Sequence, residues 1–231
     1  MKTIGLIGGM SWESSIEYYR IINETMRARL GGLHSAKSVM LSGDFAEIET
    51  LQHQNRWEEA AQILIAAAQS LERAGADFLV LCTNTMHKLA PEIEANVRIP
   101  FLHIADATAW KIQAAGLKTI GLLGTKFTME QDFYKGRLHK FGLNVLVPNA
   151  VARAVVHRVI YQELCLGVTR PESKAQYVQI IQHLVQGGAE GIISGCTEIE
   201  LLIQQADCPV PLFPTTRIHA EAAVDYALST Y

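Results

Sequence analysis

The segment SGCTEIELL, residues 194–202, places a cysteine directly after a run of apolar residues. That run predicts a buried strand, Gly195 permits a sharp exit from it, and Cys196 falls where the next helix opens. A thiol there lies near backbone N–H groups and the positive end of a helix dipole, which both stabilise a thiolate and lower the thiol pKa. A free cysteine can also be a small buried apolar side chain. Its position at the strand end favours an acid/base role for Cys196.

A similar segment, LCTNTMHKL, occupies residues 81–89. Cys-Thr occurs in both segments, which suggests at first a match between Cys82 and Cys196. Counting from the Gly-Ala-acid turns at 75–77 and 188–190 instead aligns Thr83 with Cys196, and Cys82 with Gly195. Because side chains alternate along a strand, Cys82 and Thr83 cannot both face one cleft while the strand continues. We therefore expect Thr83 in the cleft and Cys82 packed in the core.

This alignment belongs to a repeat that covers the chain. IGLIGG at 4–9 matches IGLLGT at 120–125, an aromatic pair with a cation follows at 18–20 and 133–135, and GADFLVLCTNT at 75–85 matches GAEGIISGCTE at 188–198. The three offsets are nearly equal and the matches are in the same order. The sequence thus predicts two pseudo-symmetric halves, residues 1–115 and 116–231, and we expect the C-terminal helix of each half to cross over to the other half.

Short apolar runs alternate with helical segments in both halves, which predicts an α/β fold with one four-stranded parallel sheet per half, flanked by helices. The predicted strands are 2–8, 37–42, 77–82, 100–104, 118–124, 144–148, 191–196 and 210–214, and the firmest helices are 13–30, 56–73, 175–187 and 215–229. Ligands of open α/β sheets bind beyond the carboxyl ends of the strands. We expect an active site in a cleft between the halves.

Composition excludes several classes of protein. Apolar residues make up 49% and charged residues 19% of the chain, the formal net charge is −3, and Lys and Arg are scattered, so a nucleic-acid partner is not expected. No apolar stretch is long enough to cross a membrane, and the N-terminus is too short for a signal segment. The four cysteines have no C-x-x-C spacing, which argues against a structural zinc site. Since no export signal is recognisable, we interpret them as reduced thiols in a cytoplasmic protein.

The sequence gives no sign of a cofactor. IGLIGG lacks the third glycine of a dinucleotide fingerprint, and no acidic residue follows a second strand at the required distance. The eight histidines show no H-x-x-x-H pair, so a metal is not expected. None of the lysines stands in a setting typical of a pyridoxal Schiff base.

Taken together, IGLIGGMSWES, the CTNTMH segment, LLGTKFTM and SGCTEIELL resemble the aspartate/glutamate racemase superfamily over essentially the whole chain, and most closely its aspartate racemase subgroup. HIADA at 103–107 and the region of Thr215 and His219 resemble later cleft segments of that family. The resemblance implies a cofactor-independent two-base mechanism in an enzyme that is commonly a homodimer. One cysteine removes the α-proton of a small amino acid from one face, and a second cysteine protonates the other face.

The sequence departs from the family at the first of these cysteines. The family motif C-N-T reads T-N-T here, with Thr83 at the cysteine position, and a hydroxyl is a far weaker acid than a thiol. Three interpretations stay open: an asymmetric racemase that uses Cys196 and Thr83, a local kink that presents Cys82 instead, and another reaction that needs one cysteine. Isomerases and decarboxylases of carboxylic acids, and a non-catalytic carboxylate binder, are the alternatives.

Further positions are candidates for substrate binding, with turn formation or helix capping as their structural alternative. His87 and Glu198 adjoin the two acid/base positions and could tune a proton. The resemblance adds Lys174 as a cation for a substrate carboxylate, whereas Asp44 and Glu47 stand where many members have an arginine. The candidate binding residues are Met10 and Ser11 after Gly8 and Gly9, Asn84, Thr85, Gly124, Thr125, Thr128, Lys174 and Thr197.

Overall fold

The computed structural model describes residues 1–229, and the last two residues of the predicted second half, 230 and 231, lie outside the described residues. The chain forms two compact units. The first comprises Met1–Ile104 together with the residues from His219 on, and the second comprises Ala105–Ile218. These limits follow compactness, whereas the predicted boundary after residue 115 follows the sequence repeat and stays a prediction.

The first unit is a four-stranded parallel sheet in the order β2-β1-β3-β4. One hydrophobic cluster covers the sheet face that includes Leu79 and Leu81, and another covers the face that includes Phe78 and Val80. Its strands are β1 (Ile4–Gly8), β2 (Ser38–Ser42), β3 (Phe78–Leu81) and β4 (Phe101–Leu102), and its helices are α1 (Trp12–Leu30), α2 (Phe45–His53), α3 (Trp57–Arg73), α4 (Ala90–Glu94) and a 3₁₀ turn at Thr85–Leu89.

The second unit repeats this topology with the order β6-β5-β7-β8, again all parallel. Its strands are β5 (Thr119–Gly124), β6 (Asn144–Leu146), β7 (Gly191–Gly195) and β8 (Leu212–Pro214), and its helices are α6 (Lys126–Glu130), α7 (Asp132–Lys140), α8 (Ala150–Gln162), α9 (Pro171–Gln186), α10 (Ile199–Leu202) and 3₁₀ turns at Leu164–Leu166 and Gln205–Asp207. Two helices span the limits of the units: α5 (Ile104–Ala114) and α11 (Thr215–Leu228).

The predicted fold class is confirmed. All eight strands and the four firm helices exist, and the helices that the sequence analysis did not identify include α2, α4, α5, α6 and α8. Gly75 and Gly188 follow α3 and α9 with φ angles of 89° and 100°, so both end their helices in the left-handed conformation that glycine allows. The predicted strand 100–104 is shorter in the structure because α5 already begins at Ile104.

Hydrogen bonds and strand registers confirm the alignment of the repeat. Asp77 N–H donates to Thr3 O and Glu190 N–H donates to Thr119 O, both at 2.8 Å. In the first sheet Ile7 lies opposite Leu81, and in the second Leu123 lies opposite Ser194. Thr83 follows Leu81 by two residues and Cys196 follows Ser194 by two residues, so Thr83 and Cys196 are structurally equivalent. The burial pattern shifts the match between the two aromatic pairs by one residue. Tyr18 and Tyr134 are the buried, equivalent aromatic residues, and Tyr19 is exposed.

Candidate functional site

At the end of β7, Cys196 forms a hydrogen-bonded pair with Glu198. The thiol sulfur of Cys196, a half-buried residue, lies 2.9 Å from Oε2 of Glu198, which is itself only 7% exposed. The carboxylate accepts the thiol proton in this contact. Gly195 is required here for another reason than a sharp exit: a Cβ on it would lie 2.7 Å from Leu123 O of the neighbouring strand.

The expectation of a lowered thiol pKa at Cys196 is wrong for this structure. Burial raises the pKa of the Cys196 thiol well above its ordinary value, and the neighbouring carboxylate of Glu198 raises it further. The helix dipole does not reverse this, because α10 has only four residues and begins three residues after the cysteine. The thiol is consequently protonated at neutral pH, with a proton acceptor in contact.

Short hydroxyl contacts hold the chain around Cys196. Thr197 Oγ1 and Thr216 Oγ1 lie 2.9 Å apart, and Thr215 Oγ1 donates to Ser194 O at 2.8 Å. These contacts join the end of β7 to the first turn of α11 within the second unit. Thr197, a candidate binding residue, is half-buried and already has this threonine partner.

In the first unit Cys82 is a core residue. Its side chain is fully buried and belongs to the hydrophobic cluster that contains Phe78 and Val80, so the alternation of β3 continues through it. The backbone agrees, because Cys82 N–H donates to Ile7 O at 2.9 Å and so extends the parallel ladder by one residue. Burial raises the pKa of the Cys82 thiol far above its ordinary value. A kink that would present Cys82 is absent from the described structure.

Thr83, the equivalent of Cys196, is half-buried and leaves the strand by a tight turn. Its N–H donates to Leu81 O at 2.9 Å, and its carbonyl oxygen lies 2.6 Å from Nδ1 of His87. Asn84 and Thr85 follow it and are both buried, Asn84 as the residue before the 3₁₀ turn and Thr85 as its first residue. Both main-chain polar groups of Thr83 are thus held.

The loop after β1 is built as a tight turn with a cap. Gly9 has a φ of 90°, and a Cβ there would lie 2.2 Å from Gly43 O, so no side chain fits. Ser11 is the N-cap of α1 and accepts from Ser14 N–H at 3.4 Å, and the Ser15 hydroxyl accepts from Gly9 N–H at 2.8 Å. Met10 is 6% exposed and packs in the core of the first unit.

The corresponding loop after β5 has the same plan. Thr125 is the N-cap of α6 and accepts from Thr128 N–H at 3.3 Å, and the two hydroxyl oxygens lie 3.2 Å apart. Both threonines are buried. A Cβ on Gly124 would lie 3.0 Å from Gly195 O and 3.2 Å from Thr128, so glycine keeps this loop close to β7. Capping is the visible task of Ser11 and Thr125, and their substrate contacts stay a prediction.

The predicted substrate cation Lys174 has an acidic partner within the second unit. Its Nζ lies 2.8 Å from Oδ2 of Asp207, and Lys174 is the main reason why the pKa of Asp207 is lowered. Asp44 is likewise occupied, because its carboxylate caps α2 by accepting from Ala46 N–H at 3.1 Å. Neither contact tests the role of Lys174 toward a substrate.

Residues 1–229 contain neither a clustered metal site nor a membrane-spanning helix. No group of three or more His, Cys, Asp or Glu side chains is arranged to hold a metal ion within that range. Nor does it contain a helix that is both long and apolar enough to cross a membrane.

The model of the Asp/Glu/hydantoin racemase family matches residues 7–223 of the chain. The chain belongs to this family. It is 28% identical over 176 residues to the broad-specificity amino-acid racemase RacX of Bacillus subtilis, with 75% of this chain and 73% of that protein covered.

Among solved structures, one from Yersinia pestis, assigned provisionally as an Asp/Glu racemase, is 56% identical with a TM-score of 0.94, and covers 99% of this chain and 100% of the other. An aspartate racemase homologue from Pyrococcus horikoshii is 36% identical with a TM-score of 0.87 and the same coverage.

Sequence reasoning did not bring together a group of buried side chains in the first unit of this racemase-family chain. His87, His103 and His219 are 1%, 2% and 0% exposed, and the ring centroid of His87 lies 4.5 Å from that of His103 and 5.7 Å from that of His219. His219 Nε2 donates to Leu102 O at 2.8 Å, and its Nδ1 therefore accepts from the hydroxyl of Tyr18 at 2.8 Å. No spacing rule links three histidines that lie this far apart in the sequence.

Proposed function

We propose that this chain is a pyridoxal-independent amino-acid racemase in which Cys196 exchanges the α-proton on one face of the substrate and Thr83 serves the other face. The observation that carries the proposal is the pair of Cys196 and Glu198, a protonated thiol with a carboxylate oxygen at 2.9 Å. Family membership supports the reaction class, and the strand registers support the equivalence of Thr83 and Cys196.

The proposed reaction moves protons among Cys196, Glu198, Thr83 and the substrate. Glu198 takes the thiol proton, the Cys196 thiolate takes the α-proton of the substrate, and the Cα–H bond is replaced by an S–H bond. The resulting carbanion takes a proton from the Thr83 hydroxyl, and the Thr83 oxygen regains a proton from water. The hydroxide left behind takes the proton from Glu198, so that Cys196, Glu198 and Thr83 all return to their starting protonation states. Because a hydroxyl is a much weaker acid than a thiol, protonation by Thr83 is the slow step in this direction.

This asymmetry has a thermodynamic limit. The two enantiomers of a free amino acid have equal free energies, so the equilibrium constant between them is one. Because this constant equals the ratio of the kcat/KM values in the two directions, kcat/KM must be the same for both enantiomers. Unequal acid/base groups therefore change kcat and KM separately. They also change the partition of the carbanion between inversion and return to the starting enantiomer.

The test is turnover of single enantiomers in deuterated water. Cys196 is expected to put deuterium back on the face from which it removed the proton, so the starting enantiomer should gain α-deuterium faster than the opposite enantiomer appears. Thr83→Cys should raise the ratio of inversion to exchange, by roughly tenfold or more, because a thiol replaces the weaker acid. Cys196→Ala is the control and should abolish both processes.

Two results would contradict the proposal. One is wild-type protein that incorporates no α-deuterium into any amino acid. The other is a Thr83→Cys variant, folded like the wild type, whose ratio of inversion to exchange does not rise.

The assay uses a panel of amino acids. We propose aspartate and glutamate as first substrates, following the family. The broad specificity in the name of the Bacillus subtilis relative is the reason to include neutral and basic amino acids.

One observation favours a second candidate. With Cys82 in the core, Cys196 is the single thiol among the candidate catalytic residues, as a cysteine-dependent decarboxylase or one-sided isomerase of small carboxylic acids requires. Carbon dioxide release from substituted malonates, without α-exchange of amino acids, would select that function. Binding of aspartate without any turnover would instead indicate a carboxylate-binding protein.

We also retain as proposals the cytoplasmic location and the homodimer. Trp12 and Tyr19 of α1 are 61% and 54% exposed and are available to a partner, whereas Tyr18 is buried and is not. Light scattering during size-exclusion chromatography measures the oligomeric state directly.

A further inference from the structure

His87 makes two main-chain hydrogen bonds that fix its protonation state. Ile104 N–H donates to Nε2 at 3.2 Å, so Nε2 carries a lone pair. Nδ1 lies 2.6 Å from Thr83 O, which only accepts, so Nδ1 carries the proton. These partners select the neutral Nδ1–H tautomer, in which the imidazole donates to Thr83 and accepts from Ile104.

The ring of His87 has little freedom to leave this arrangement. It is 1% exposed, and its neighbours include the rings of Phe101, His103 and His219 at centroid distances of 5.5, 4.5 and 5.7 Å. A buried ring with two directional hydrogen bonds transmits any change of its position to both main-chain partners. One of these partners is the residue that stands at the equivalent position of Cys196.

The two main-chain groups of Thr83 set the direction of its side chain. Its N–H is tied back to Leu81 O, and its carbonyl is tied forward to His87, which lies in the 3₁₀ turn. The first of these bonds closes the tight turn after β3, and a turn held only there can still rotate about φ of Thr83, which swings its Cβ and its carbonyl together. The bond from His87 is the one that restrains this rotation.

We propose that His87 is a positioning residue: through its Nδ1–H it holds the Thr83 carbonyl and so aims the Thr83 hydroxyl used in proton transfer. This inference rests on the proposed racemase function. It assigns His87 no proton transfer of its own, since both ring nitrogens are engaged with main-chain atoms.

Two substitutions separate the two hydrogen bonds. In His87→Asn the side-chain amide nitrogen occupies nearly the place of Nδ1, so the donor to Thr83 O is kept and the acceptor for Ile104 N–H is lost. In His87→Gln the amide oxygen reaches the place of Nε2, so the acceptor for Ile104 is kept and the donor to Thr83 is lost. Each variant lacks one hydrogen bond, which makes each the control for the other.

The assay is the ratio of inversion to exchange in deuterated water, measured with the urea midpoint of each variant. We expect His87→Gln to lower the ratio by roughly tenfold, because a small misplacement of a proton donor costs one to two orders of magnitude. His87→Asn should stay within about twofold of the wild type. A purely structural role would lower the two urea midpoints alike and leave both ratios unchanged.

If the wild type shows α-exchange, the racemase proposal stands. In that case, the inference about His87 is overturned if both variants change the ratio equally or if neither changes it. If the wild type shows no α-exchange, the racemase proposal fails, and amide hydrogen exchange still tests the His87 contact. Faster exchange of the 82–88 segment in His87→Gln than in His87→Asn is expected, and equal rates would refute the contact's restraining role.

Discussion

Replacement of Cys82 separates a core thiol from a catalytic one. Cys82 is the cysteine of the CTNT segment and directly precedes Thr83, which holds the family's cysteine position. The Cys82 side chain is fully buried among apolar neighbours on the face of β3 that includes Val80. Its sulfur lies 4.0 Å from Val80 O, the outer limit for a sulfur hydrogen bond. We expect Cys82→Ala to keep the turnover of the wild type and to lower only its stability.

The magnitude follows from the burial. The substitution removes one heavy atom from a packed core, which resembles Ile→Val and costs about 0.5–1.5 kcal/mol of the free energy of unfolding. For a chain of this size, a loss of about 1 kcal/mol lowers Tm by roughly 2–4 °C. Cys82→Ser keeps the size but buries a hydroxyl in an apolar cluster, which costs about 1–3 kcal/mol when the hydroxyl lacks a good acceptor.

The assay combines urea unfolding, followed by circular dichroism, with α-deuterium incorporation under conditions where each variant is folded. The expected order of stability is wild type, then Cys82→Ala, then Cys82→Ser, with the same kcat for all three. Cys196→Ala gives the opposite pattern, with full loss of turnover. Loss of turnover in a stably folded Cys82→Ala protein would refute the core assignment and restore Cys82 as the second acid/base group.

Three further results are expected. Ser194→Ala should raise the free energy of unfolding by roughly 1 kcal/mol, because the buried Ser194 hydroxyl has no hydrogen-bond partner within residues 1–229; a loss of stability on urea unfolding would contradict this. The Glu190 carboxylate accepts from the N–H groups of Lys118 and Thr119, and these bonds lower its pKa in the folded protein, so the unfolded chain binds more protons in acid. The stabilisation by this carboxylate is complete above the ordinary carboxyl pKa and is lost as pH falls toward the lowered pKa of the folded protein. Glu190→Gln should therefore reduce the dependence of the urea midpoint on pH between about pH 5 and 3, and an unchanged pH dependence would contradict this. Lys174 stays the predicted cation for the substrate side-chain carboxylate, so Lys174→Met should raise the KM for aspartate and leave that for alanine unchanged; equal KM values for aspartate before and after the substitution would contradict this role.

The repeat in the sequence was sufficient to predict the fold and the equivalence of Thr83 and Cys196, because periodic apolar runs and turn glycines act locally. It was not sufficient for the pKa of Cys196. That pKa depends on burial and on the side-chain rotamer of Glu198, which spacing does not determine. The sequence did not predict the contact between His87 and Ile104 for the same reason, since it joins the 3₁₀ turn after β3 to the first residue of α5.

The asymmetry between the half-sites extends beyond the two acid/base positions. The registers that make Thr83 equivalent to Cys196 also make Thr85 equivalent to Glu198, so the first unit lacks both the thiol and the carboxylate that accepts its proton. A thiol introduced at position 83 would have to ionise without such an acceptor. As an acid the new thiol is fully active below its pKa, whereas its use as a base in the reverse direction should grow as pH rises toward that pKa. One substitution supplies the missing acid, and the missing proton acceptor limits how far the two directions can become alike.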